Sequence, residues 1–166
     1  MRWYPGVGVL VVVAVIGAPI ALATGDDGTH AMAWPGQRFT GSVGVDQWTG
    51  SAYADDAAGR SGADMLRGGP GADAIDGGSG NDLIEGGDGR DRIDAGRGRD
   101  VLAGGNGNDI LKAMDDDHAV DTVECGAGED YVMAQRSDDI DDDCEKVRWF
   151  DPDTDGDGHV QATVYD

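Results

Sequence analysis

The chain has 166 residues with 33 Asp and Glu against 12 Lys and Arg, for a formal charge of -21 and an isoelectric point near 4.1. Such a surface repels phosphate backbones, which excludes nucleic-acid binding, and it suits a binder of cations. Aromatic residues are only 6% of the chain and glycines number 29, so the apolar core is too small to stabilise a fold well without help, and bound metal would supply that help.

Residues 1–23 are predicted to be a secretory signal peptide. Arg2 stands in a short n-region, an apolar run extends from Val7 to Ile16, Pro19 breaks it, and Ala21-Leu22-Ala23 offers a small-residue cleavage site. The consequence is export to a secreted, extracellular or cell-surface location, where Ca²⁺ is abundant enough to fill weak sites. Residues 24–58, with Trp34, Phe39, Trp48 and Tyr53 scattered through them, show neither a helical period nor clear strand alternation. They are predicted to be a linker ending in a degenerate first coil, because Asp55 lies nine residues before Asp64. The aromatics are expected to pack over that open coil.

Residues 59–112 repeat with a period of nine through six units: GRSGADMLR, GGPGADAID, GGSGNDLIE, GGDGRDRID, AGRGRDVLA and GGNGNDILK. Gly holds the fourth position of every unit and Asp the sixth: Asp64, Asp73, Asp82, Asp91, Asp100 and Asp109. A large aliphatic residue holds the eighth: Leu66, Ile75, Ile84, Ile93, Leu102 and Leu111. A Gly-rich loop followed by a short x-apolar-x strand is the local structure this pattern dictates, with the eighth residue facing one way and its neighbours the other. Two units then make one coil of a flattened two-sheet spiral. Stacking at ~4.8 Å puts alternate loops above one another, so that Asp64, Asp82 and Asp100 line one edge and Asp73, Asp91 and Asp109 the other. Carboxylates ~5 Å apart at an effective dielectric near 20 repel by roughly 3 kcal/mol per pair, and a cation between them removes that cost. Loop carbonyls and carboxylates form an all-oxygen donor set, which suits Ca²⁺. No His or Cys recurs in the period to favour a softer metal.

The six units resemble the RTX, or haemolysin-type, calcium-binding repeat, whose nonapeptide is GGxGxDxUx with U large and aliphatic. The resemblance implies an all-β fold, a parallel β-roll in which several Ca²⁺ ions are chelated between coils. By position it implies that the six aspartates are ligands.

Beyond Lys112 the period slips by three residues and returns. Residues 113–133 are predicted to be degenerate repeats in which Asp121 and Asp130 regain the sixth position and Val123 and Val132 the eighth. Asp130 joins the expected ligands, and Asp121 is a weaker candidate because the glycines before it are missing. Cys125 and Cys144 are the only cysteines, and export makes a disulfide between them the default. It would pin residues 134–150 as a C-terminal cap, with Val147, Trp149 and Phe150 over the end of the seam. Residues 151–166 form an acidic tail in which Asp153, Asp155, Asp157 and Gly158 match the opening of an EF-hand-like loop. Val164 stands where that loop needs its bidentate acid, so these three aspartates are weaker candidates as well.

No catalytic constellation is legible. His30, His118 and His159 stand in unrelated contexts, and no segment outside the repeats is long enough to house a hydrolase. The expected function is a secreted calcium-binding module of structural, adhesive or cell-surface use, without enzymatic activity or a small-molecule substrate. Its extracellular or cell-surface protein partner is left open. The alternatives are an accessory or remnant fragment of a secreted RTX-type hydrolase, or an acidic calcium buffer.

Overall fold

The computed structural model describes residues 36–114, 119–151 and 161–163. Its strands, in chain order, are β1 (Arg38–Thr40), β2 (Gln47–Thr49), β3 (Asp56–Ala58), β4 (Met65–Gly71), β5 (Ala74–Ser79), β6 (Leu83–Gly89) and β7 (Arg92–Arg97). They continue as β8 (Val101–Asn106), β9 (Ile110–Lys112), β10 (Thr122–Ala127), β11 (Tyr131–Gln135), β12 (Asp139–Ile140), β13 (Lys146–Asp151) and β14 (Gln161–Thr163). Odd-numbered strands up to β13 form one sheet, extended at its end by β14, and even-numbered strands from β2 to β12 form the other. Successive strands therefore alternate between the sheets, which makes the architecture a parallel β-roll.

The register follows the repeat. Leu66 pairs with Ile84 and Ile84 with Leu102 in one sheet, while Ile75 pairs with Ile93 and Ile93 with Leu111 in the other. These side chains, with Val123 and Val132 beyond them, are buried and form the seam. Across the insertion the spacing lengthens: Val123 pairs with Leu102, and Val132 with Leu111. Side-chain ion pairs, such as Arg67 to Glu85 at 3.0 Å and Lys112 to Asp94 at 2.9 Å, tie successive coils together on the outer faces. Exposed pairs of this kind contribute little to stability.

Each glycine position of the unit has its own physical reason. The second and fourth positions bend the chain through positive φ, for example Gly87 at 116° and Gly89 at 136°. Arg60 is the described non-glycine that adopts this handedness, at 77°, a conformation costly for an L-residue. The first position faces inward beside the seam and needs Gly for close approach. A Cβ on Gly86 would lie 2.6 Å from the Gly104 carbonyl oxygen of the next coil. Ala95 is accepted at that position because β7 pairs with the short β9 only as far as Asp94 and Lys112, where the insertion begins.

The roll extends further at both ends than the repeats legible in the sequence. Residues 38–58, expected as linker plus one degenerate coil, hold three strands in register: Phe39 pairs with Ala57, Trp48 with Leu66, and Ala57 with Ile75. The Phe39 and Trp48 rings stack with centroids 5.6 Å apart and pack against the core. They supply the apolar bulk that small Ala57 lacks. At the other end, the segment expected as a cap continues both sheets, with Ile140 paired to Val123 and Val147 to Val132. Cys125 and Cys144 are joined by a disulfide. β14, in the expected acidic tail, adds antiparallel to β13. The expected signal peptide and the EF-hand-like Asp153, Asp155 and Asp157 lie outside the described residues.

Candidate metal centre

Three positions of each central unit point inward: the sixth, the eighth and the first of the following unit, as the burial of Asp82, Ile84 and Gly86 illustrates. The strand pleat carries the aliphatic side chain into the seam, so the Asp two residues earlier lies on the same face at the strand's entry. A carboxylate is thereby placed in the interior, where charge is costly unless it is compensated.

One oxygen of each carboxylate is compensated by the neighbouring coil. Asp82 Oδ1 accepts the backbone N–H of Asp64 at 2.8 Å, and Asp100 Oδ1 accepts that of Asp82 at the same distance. Asp121 Oδ1 continues this row by accepting from Asp100. On the opposite edge the N–H of Asp55 donates to Asp73, Asp73 to Asp91, Asp91 to Asp109 and Asp109 to Asp130, each at 2.8 Å. The two rows expected from the period are thus two continuous ladders.

The second oxygen has no such partner. Oδ2 of Asp64, Asp73, Asp82, Asp91, Asp109 and Asp130 is buried and meets no hydrogen-bond donor. A buried orphan on an ionised group is expensive, and its repetition along each edge marks a place for a cation. The Oδ2 atoms lie against the first-position glycines: a Cβ on Gly59 would stand 2.5 Å from Asp64 Oδ2 and 2.5 Å from the Gly77 carbonyl oxygen. Carboxylate and carbonyl oxygens therefore converge, and the donor set contains oxygen alone, as a hard divalent cation requires.

Electrostatics agree with this geometry. Burial pushes the Asp91 carboxyl up to about 6, opposed by the hydrogen bond from the Asp73 backbone and reinforced by the charges of Asp109, Asp73 and Asp88. Asp73, Asp82, Asp109 and Asp130 are raised as well, in each case chiefly by burial and against a lowering backbone hydrogen bond.

The rows end differently from their centres. Asp121 donates its N–H to Asp138 Oδ1 at 3.2 Å, and Asp138 Oδ2 accepts from Gln135 at 2.7 Å, so both Asp138 oxygens hold backbone donors. Asp130 donates to Glu145 Oε2 at 3.0 Å. Asp143 takes the N–H of Cys125 at 3.1 Å and of Gly126 at 2.7 Å, beside the disulfide. At the N-terminal end two more aspartates occupy the sixth position, Asp46 and Asp55, with Asp46 donating to Asp64 Oδ1 at 2.8 Å. Asp46 escaped the reading of the sequence because Trp48 replaces the aliphatic residue, although Gly41, Gly44 and Asp46 keep the spacing.

Fold and site together define a two-sheet roll of nonapeptide repeats with inward carboxylates along both edges. Residues 49–84 and 76–111 match the model of the RTX calcium-binding nonapeptide repeat (4 copies), so this stretch is built of calcium-binding repeats of that family. No curated protein and no solved structure matches the chain.

Proposed function

We propose that this protein is an exported calcium-binding module whose roll is completed by several Ca²⁺ ions bound between coils. The ligands are Asp64, Asp73, Asp82, Asp91, Asp100, Asp109 and Asp130, with loop carbonyls filling the remaining positions and Asp121 contributing weakly. The observation that carries this reading is the buried Oδ2 without a donor, repeated along both edges. The repeat-family match over residues 49–111 supports the choice of metal, and the oxygen-only donor set favours Ca²⁺ over softer ions. The role is structural: the ions hold a scaffold for adhesion or display at a cell surface. Neither catalysis nor a small-molecule substrate is part of this reading.

Titrating metal-free protein with Ca²⁺, followed by circular dichroism and calorimetry, tests the proposal. A cooperative gain of β signal with several bound ions is expected. Binding without gain of structure would instead make the chain an acidic buffer. Export is tested separately by N-terminal sequencing of protein from the culture medium, which should begin near Thr24.

A further inference from the structure

The first coil differs from the central ones in a way that follows from one residue type. At the second position of the units that begin at residues 68, 77, 86, 95, 104 and 125, Gly adopts positive φ, as at Gly69 (96°), Gly78 (102°) and Gly105 (106°). The units at 41–49 and 50–58 carry Ser42 and Ser51 there, and neither adopts positive φ. Each serine folds back onto the aspartate of its own loop. Ser42 donates its N–H to Asp46 Oδ2 at 2.6 Å and its hydroxyl lies 3.1 Å from the same atom. Ser51 repeats the arrangement on Asp55, with N–H to Oδ2 at 2.5 Å and hydroxyl to Oδ1 at 3.0 Å. Each hydroxyl oxygen also accepts an N–H from two residues on, Gly44 at 3.1 Å and Tyr53 at 3.2 Å. Gln37 adds a backbone donor to Asp55 Oδ1.

The oxygen that is orphaned in the central loops is therefore satisfied in these two by the chain itself. Charge-assisted hydrogen bonds from N–H and O–H disperse the carboxylate charge where an ion would otherwise do so. Both loops still present the stacking surface the next coil needs, since Asp46 and Asp55 donate their N–H groups to Asp64 and Asp73. The stacked Phe39 and Trp48 rings close the apolar end of the same coil.

We infer that Ser42 and Ser51 replace calcium in the first two loops, making residues 41–58 a metal-independent template on which the ion-bound coils stack. This inference rests on the proposed ion sites for its contrast, but it makes a separate statement about order without metal. The glycine-to-serine exchange at the second position is the switch between an ion loop and a self-closed loop.

Two measurements on the full chain test it. Amide hydrogen exchange in excess chelator should show Gly44, Ser51 and Tyr53 exchanging about tenfold or more slowly than Gly87 and Gly89. Ser42→Gly combined with Ser51→Gly should abolish that difference. Equal exchange of the two groups in the unsubstituted chain would overturn the template. Counting bound Ca²⁺ by native mass spectrometry should give the same number for Asp46→Asn and Asp55→Asn as for the unsubstituted chain, and a lower number for Asp82→Asn. Loss of an ion with either of the first two would overturn the inference while leaving the central sites intact. An unsubstituted chain that binds no Ca²⁺ would refute the ion sites themselves, and with them the claim that the serines stand in for an ion.

Discussion

The backbone N–H of Asp82 donates to Asp100 Oδ1 at 2.8 Å, one coil further along, while Asp82 Oδ1 accepts the N–H of Asp64. Each central aspartate thus has three duties on one side chain and one amide: it stacks on the coil before, holds the coil after, and offers its second oxygen to the interior. Asn at this position keeps an acceptor for the ladder and loses the charge. Ala loses both.

That division yields the first prediction. Asp82→Asn should raise the Ca²⁺ midpoint of folding and leave the structure at saturating Ca²⁺ close to that of the parent. Asp82→Ala and Asp91→Ala should raise the midpoint further and blunt its cooperativity, because each also removes a ladder hydrogen bond of about 1 kcal/mol or more. Asp64→Ala should do less to the midpoint, since the loop outside it belongs to Asp46, whose Oδ2 is already held by Ser42. Calcium titrations by circular dichroism compare the four proteins, and equal midpoints would contradict the assignment.

A pH dependence of opposite sign with and without metal forms the second prediction. Asp91 in the metal-free fold is raised to about 6, above its value in an unfolded chain. Its protonation therefore favours the metal-free roll, fully so below about pH 4, and that contribution is lost as pH rises through about 6. Calcium needs the ionised carboxylate, so its affinity should fall as pH drops below about 6. Circular dichroism in chelator should show the residual β signal of the metal-free chain rising as pH falls from 7 to 5. The Ca²⁺ midpoint should rise over the same interval.

The first-position glycines supply a third prediction. A Cβ on Gly86 would lie 2.6 Å from Asp91 Oδ2 and 2.6 Å from the Gly104 carbonyl oxygen, and backbone cannot retreat cheaply in a stacked coil. Gly86→Ala should destabilise the calcium-loaded protein by about 1–3 kcal/mol. Ala95→Gly, at a first position that already accepts a Cβ, should change stability by less than about 1 kcal/mol. Denaturant melts at saturating Ca²⁺ distinguish the two.

The fourth prediction concerns the disulfide between Cys125 and Cys144, whose sequence separation is 19. On the chain-entropy model a loop of that length stabilises by about 3 kcal/mol. Cys144→Ser should lower the unfolding midpoint accordingly. Hydrogen exchange should accelerate most in β12 and β13, which Cys144 ties to the last regular coil. An unchanged midpoint after complete reduction would show that this end is held by its ladder alone.

Much of this protein is decided by its sequence, because a period of nine is a local property: each unit contains its own loop, inward Asp and aliphatic anchor. The β-roll, the edge rows from Asp64 to Asp109 and the inward direction of Leu66 to Leu111 follow from spacing and the strand pleat without knowledge of any contact. What only the tertiary structure decided depends largely on residues fifteen or more apart in the chain. The unit at 41–49 is a coil because Trp48 lies in register on Leu66, although its own residues depart from the pattern. Likewise Ile140 and Val147 extend the sheets because Val123 and Val132 present open edges to them. The division of each carboxylate into a stacking oxygen and an orphaned one, and the closure of Asp46 and Asp55 by Ser42 and Ser51, arise where one coil meets the next or a loop folds back on itself. A linear spacing carries neither relation, since hydrogen-bond direction and backbone handedness are set only once the coils are stacked.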